Sequence, residues 1–390
     1  MKVIVVGMIY SNNLGDGVIF HSLKLALEEL GAKVDSLDTS GMKGFQSIES
    51  NKSNKNNKGL KSKLINISPT LYKSLTIVTS MIGRKKFNKF AEEKIKNADM
   101  VIIGGGQLIT NFTETLPTRL LDIAELCNRN SKPYSIYGCG VGNSFTKLGK
   151  SKYTKLLNGA SYVSVRGLDS KARLEKYCNI KGVKLVPDPV FGLNSTKSLK
   201  ESRIFVGICY QDIMSMAMHE RKFLDIGKCG VEEIVFNIVN QYKQLDIRCA
   251  IFTNGDPVDF SYANEFYNKY KNVVDFELAE RPTTPVELID LISNFSHVIS
   301  FRMHGAIIAH ALGKPTLNIV WDKKINEVWG AVNNESVPVA VDDFIEKKTM
   351  LKLAKSLISK RDVSEIYNDS SRDNLKFCLE SMERNSVIVS

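Results

Sequence analysis

The stretch Ser296–Lys324, S-H-V-I-S-F-R-M-H-G-A-I-I-A-H-A-L-G-K-P-T-L-N-I-V-W-D-K-K, reads as strand, helix and strand in close succession. His297 to Ser300 is a short apolar strand, and Gly305 to Leu312 has the small, apolar composition of a packed helix closed by Gly313. Arg302 and His304 fall at the turn between them, beside the free N–H groups and positive dipole end of the helix. Pro315 to Val320 restarts as an apolar strand whose end carries Trp321, Asp322, Lys323 and Lys324 to the same rim, because ligands in open α/β sheets collect outside the carboxyl ends of strands. An isolated R-x-H tripeptide is more simply a surface ion pair and a helix start. The strand-turn-helix setting is what makes it a candidate anion site.

Outward from this unit the same alternation repeats. Strand-like runs at 2–6, 100–103, 133–137, 162–165, 184–186, 204–209, 248–253, 298–300 and 316–320 are separated by helical stretches, which implies parallel sheets covered on both faces. The polar stretch 193–203 divides them. The expected architecture is α/β, with two doubly wound Rossmann-like domains, 1–195 and 203–342, facing a cleft. Beyond Asp343 the pattern is helical, and residues 343–390 form a tail able to pack back across both domains. A chain of 390 residues exceeds the usual single core, and 43% hydrophobic with 24% charged is ordinary globular composition.

Seven scattered cysteines with no C-x-x-C spacing argue against a disulfide framework or structural zinc, and reduced thiols point to the cytosol. The apolar start Val3 to Val6 is too short for a signal peptide, and no run is long enough to span a bilayer. The net charge of +11 is local: from Lys43 to Lys96 there are thirteen Lys or Arg against three Glu, so residues 43–96 read as a basic insertion. Within it, 46–63 is lysine-rich with little to bury, and Ile65 to Ile82 sets apolar residues beside Arg84, Lys85 and Lys86. That juxtaposition suits a peripheral contact with an anionic membrane or an ordinary core helix with a solvated basic end. Nucleic acid is not expected, since no recognition motif or interleaved stacking aromatics accompany the charge.

In the first half, Asn13, Gly15 and Asp16 follow strand one in N-N-L-G-D: Gly15 allows close backbone approach, and Asp16 either caps a helix or, if it does more, contacts a sugar hydroxyl or acts as a base. Gly104, Gly105 and Gly106 close the strand M-V-I-I, and Gly138, Gly140 and Gly142 surround Cys139. Neither cluster is a P-loop or a G-x-G-x-x-G fingerprint. Arg166 ends the strand S-Y-V-S-V, Asp188 is held between two prolines in V-P-D-P-V-F, and Asn254 and Asp256 end the strand C-A-I-F-T in N-G-D, which taken alone would be a simple turn.

Taken in order from about residue 3 to 324, N-L-G-D, G-G-G, V-R-x-x-D-S, V-P-D-P-x-F, T-N-G-D and R-M-H…G-K-P…W-D-K-K resemble the polysaccharide pyruvyl transferase family. Trp321 stands where the family more usually has tyrosine, and the basic insertion lies outside the shared pattern. The resemblance implies a GT-B-like fold, phosphoenolpyruvate as donor, and as acceptor a sugar of a surface polysaccharide or its lipid-linked precursor, with a pyruvate ketal as product. It calls for no metal and no cofactor beyond the donor. On this reading Arg166, Arg302 and Lys324 receive the donor's phosphate and carboxylate. Asn13, Gly15, Gly105, Gly106, Asn254 and Asp256 line the substrate site. His304 serves as acid or phosphate ligand, and Asp188 or Asp16 orients or deprotonates the acceptor. The expected location is cytoplasmic, at the inner membrane face. Two other readings share the residues: a GT-B glycosyltransferase using a nucleotide-sugar, and a non-catalytic glycan-binding protein on the same fold.

Overall fold

The computed structural model describes residues 1–45, 69–110, 114–193, 204–334, 336–360 and 368–389. Two parallel six-stranded sheets organise it. The first contains β1 (Lys2–Gly7), β2 (Lys33–Asp38), β3 (Met100–Gly104), β4 (Tyr134–Cys139), β5 (Tyr162–Val165) and β6 (Lys184–Leu185), in the order β2-β1-β3-β4-β5-β6. The second contains β7 (Phe205–Cys209), β8 (Arg248–Phe252), β9 (Glu277–Leu278), β10 (His297–Ser300), β11 (Thr316–Ile319) and β12 (Pro338–Val339), in the order β12-β11-β10-β7-β8-β9. Both are doubly wound, and the strand order reverses between β1 and β3 in one and between β7 and β10 in the other. Those two points are where crevices open.

The central strands are apolar along their length because helices cover both faces: every residue of β3, β4, β10 and β11 is buried. One core lies on one face of the first sheet, around Ile4, Val101, Ile123 and Leu174. The other runs from the opposite face through the second domain, joined by the helix Leu14–Glu29 and the 3-10 turn Pro189–Gly192. Phe191 of that turn packs edge-on against Trp329 and His310 of the second domain, with ring centroids 5.7 and 6.1 Å away.

The second half of the basic region belongs to the fold and is not an appendage. Helix Pro69–Lys96 is the crossover from β2 to β3, and its Phe87, Ala91 and Ile95, spaced one turn apart, are buried on the first sheet. Arg84 pairs with Asp122 at 2.5 Å, while Lys85 and Lys86 face solvent. Residues 46–68, which hold the lysine-rich stretch 46–63, and all but Leu193 of the expected boundary 193–203 lie outside the described residues.

The tail divides between the domains. Helix Lys347–Leu357 packs on the second, where the Tyr242 hydroxyl donates to the Ala354 carbonyl at 2.9 Å. Helix Asn368–Val389 returns to the first, burying Leu375, Cys378, Leu379 and Met382 and setting Phe377 against Tyr162. All seven cysteines are free thiols, six of them buried. Among the described residues no helix is long and apolar enough to cross a membrane.

Candidate active site

The two reversal points face each other across a cleft. Between them lies a cavity of about 170 Å³ lined from the first domain by Met8, Asn13, Asp16, Gln107 and Arg166, and from the second by Asn254, Arg302, Met303, His304, Trp321 and Lys324. Residues separated by as many as 316 positions in the chain thus converge because each follows the carboxyl end of a strand or opens the next helix.

Domain contact at the cleft depends on glycine. A Cβ on Gly15 would come within 2.4 Å of His304 Nδ1, so only glycine lets the first helix meet that imidazole. Beside it the Leu14 amide donates to the Asn254 carbonyl at 3.0 Å, and Gly255, at φ +91°, leaves room for the Leu14 side chain. A second contact between the domains is made by the Glu327 carboxylate, which accepts from the Ser170 amide at 2.5 Å and pairs with Arg173 at 3.3 Å, against Gly167.

Each cation of the cleft has a carboxylate partner. Arg166, only 3% exposed, donates to Asp188 Oδ2 at 2.5 Å, while Asp188 Oδ1 accepts from the Val190 amide at 3.1 Å and caps the 3-10 turn. Gly140 leaves space for the guanidinium: a Cβ there would lie 3.1 Å from Nη2. Arg302 Nε donates to Asp259 Oδ2 at 2.7 Å, and Asp259 Oδ1 accepts from the Asp212 amide at 2.9 Å. Lys324 lies 3.2 Å from Asp322 and 5.0 Å from the centre of the Trp321 ring, whose indole N–H donates to the Phe301 carbonyl.

Titration follows from burial. Desolvation lowers His304 from 6.5 to about 4, against the pull of Asp188, so the ring is neutral near pH 7. Desolvation raises Asp16 from 3.8 to about 6; Arg166 and a 3.3 Å hydrogen bond from Ser11 offset part of the rise. His304 Nε2 and Asn254 Nδ2 are buried and lack a hydrogen-bond partner among the described residues, so the cavity holds two polar groups awaiting one.

These placements sort the expected residues. Asn13, Asp16, Arg166, Asn254, Arg302, His304 and Lys324 come together at the cavity. Gly15 is a packing glycine. Gly105 and Gly106 take positive φ, where side chains on Gly105 and Gly106 would meet Ile19 at 2.0 Å and Asp16 at 3.1 Å. Asp188 is spent on Arg166 and Val190, with both oxygens engaged. Asp256 is the N-cap of helix Pro257–Tyr270, accepting from Val258 N at 2.9 Å, and stands outside the cavity lining. Sequence reading passed over Gln107, next to the G-G-G turn, and Asp259, three residues beyond the Asp256 cap. An acidic residue in a first helical turn invites a capping explanation, but Asp259 is fully buried on Arg302. Among the described residues no group of three or more His, Cys, Asp or Glu could hold a metal ion.

Two Rossmann-like domains closing on a polar, cation-bearing cleft define a GT-B-like protein. The chain belongs to the polysaccharide pyruvyl transferase family, whose sequence profile matches residues 13–323. Comparison with curated proteins returns no match. Among solved structures the fold is similar to that of UDP-GlcNAc 2-epimerase from Methanocaldococcus jannaschii, with TM-score 0.55, 12% identity, and 97% of this chain and 100% of that chain covered. A putative UDP-N-acetylglucosamine 2-epimerase from Listeria monocytogenes gives TM-score 0.58 at 9% identity, covering 98% and 97%. At these identities the likeness concerns the fold alone.

Proposed function

We propose that the protein transfers pyruvate from phosphoenolpyruvate to a sugar of a surface polysaccharide or its lipid-linked precursor, forming a pyruvate ketal. The observation that carries this reading is the convergence of Arg166, Arg302 and Lys324 with the unpartnered Nε2 of His304 on one small cavity. Its volume of about 170 Å³ is below the roughly 300–1,000 Å³ typical of sites for drug-sized ligands, which suits a compact polyanion better than a nucleotide-sugar.

Ketal formation adds a proton to the donor's methylene carbon, joins two acceptor hydroxyl oxygens to the adjacent carbon and releases phosphate. Of the two hydroxyl protons, one balances the new methyl group and the other leaves with the phosphate. Asp16, titrating near 6, is the group suited to hold and return a proton at neutral pH. Burial keeps His304 neutral near pH 7, so it suits phosphate binding through Nε2 better than proton donation. Arg166 and Arg302 suit bidentate contacts to phosphate and carboxylate. Asp188 then acts through Arg166 and not as a base. Work in the cytoplasm, at the membrane face where lipid-linked precursors are held, is part of the same proposal; the exposed Lys85 and Lys86 support it.

The test is a thermal-shift titration with phosphoenolpyruvate and, in parallel, UDP, CMP and GDP, since a ligand of the folded state raises Tm with saturation. Stabilisation by phosphoenolpyruvate alone is expected. A response to a nucleotide alone would replace this reading with glycosyl transfer.

A further inference from the structure

Asp259 has no part in the chemistry outlined above, yet it is a buried carboxylate on a cation of the cleft. It is fully enclosed, with Oδ1 fixed by the Asp212 amide at 2.9 Å and Oδ2 on Arg302 Nε at 2.7 Å. Asp212 is itself immobilised, as its side chain caps helix Ile213–Ala217 through the amides of Met214 and Ser215. The chain of contacts therefore runs from one helix start, through Asp259 at another, to a guanidinium on the cavity wall. Bonding at Nε takes up one edge of the guanidinium and leaves the terminal Nη pair as the edge for a ligand. Arg302 is a long, rotamer-rich side chain, and such a side chain binds tightly only if its orientation is set beforehand.

We propose that Asp259 is a positioning residue that fixes Arg302 with its Nη edge toward the donor, so that the cleft recognises phosphoenolpyruvate by directed contacts more than by net positive charge. The inference rests on the donor reading above. The arrangement mirrors that of Asp188 and Arg166 in the other domain, so each half of the cleft supplies one guanidinium held by a buried carboxylate.

The sign of one substitution separates positioning from electrostatics. Removing a negative charge beside Arg302 makes the cleft more positive, and by Coulomb attraction alone Asp259→Asn should bind any anion more tightly. Positioning requires the opposite for phosphoenolpyruvate. Isothermal titration of the full chain with phosphoenolpyruvate and with inorganic phosphate, for wild type, Asp259→Asn and Asp259→Glu, reads this directly. The expected result is a loss of about 10- to 100-fold in phosphoenolpyruvate affinity in both variants, with inorganic phosphate changed less than 3-fold. Asp259→Glu keeps the charge while displacing the carboxylate, so it serves if the amide variant does not fold. Unchanged or tighter phosphoenolpyruvate binding in a folded variant overturns the positioning role and leaves the donor reading intact. Parallel losses for both anions overturn it too, since a general collapse of the cleft would do that. Absence of phosphoenolpyruvate binding by wild type overturns the donor reading and this inference with it.

Discussion

At the scale of single residues, the cleft is governed by what burial does to charge. The ion pair of Arg166 and Asp188 is enclosed on both sides, and removing one partner strands the other. Arg166→Ala should therefore destabilise the protein by about 3–5 kcal/mol, read as a lower urea midpoint, whereas Arg166→Lys should lose less stability but much of the anion affinity. The titrations of Asp16 and His304 act in opposite senses. For Asp16 the folded value near 6 exceeds the ordinary 3.8, so the protonated form favours the fold; that contribution is full below 3.8 and lost as pH rises through 6. Asp16→Asn should then gain roughly 1 kcal/mol over wild type at pH 7–8 and nothing near pH 4, while losing transfer activity. For His304 the folded value near 4 lies under the ordinary 6.5, so its contribution is full above 6.5 and lost as pH falls toward 4. His304→Asn should flatten the decline of Tm over that window in a pH series.

At the scale of elements, the β10-helix-β11 unit was legible because its apolar run, its closing glycine and its terminal cations fall at the spacings a packed strand-helix-strand demands. The crossover helix was legible only as one of two alternatives, a core helix with a basic end beside a membrane contact. Its buried positions Phe87, Ala91 and Ile95 recur every four residues, but seven lysines and arginines and two glutamates from 73 to 96 swamp that stripe in any composition-based reading. Asp188 illustrates another limit: flanking prolines announce that a carboxylate is aimed, but only three-dimensional proximity tells that its target is Arg166. Glycine was the sign most easily undervalued. Gly15→Ala places a methyl group 2.4 Å from His304 Nδ1, so it should force the helix start and the imidazole apart. The expected cost is roughly 1–3 kcal/mol in stability with at least a 10-fold loss of phosphoenolpyruvate affinity, measured by denaturant melts and titration.

At the scale of the whole molecule, the domains are joined by Leu14 with Asn254 and by Glu327 with Ser170 and Arg173. Glu327→Ala removes the second contact while touching none of the cavity lining, so it should raise the KM for substrates more than it lowers kcat. Opposed Rossmann-like domains were readable from the repeating alternation of short apolar strands and helices. The pairing of each arginine with a buried carboxylate was not, because the partners lie 22 and 43 residues apart in sequence. The account's central claim, that this paired-charge cavity is the donor site, is tested most directly by a crystal structure determined with phosphoenolpyruvate. It predicts ligand density between Arg166 and Arg302, with a phosphate or carboxylate oxygen within hydrogen-bond distance of His304 Nε2. Density elsewhere, or an empty cavity at saturating ligand, would contradict it.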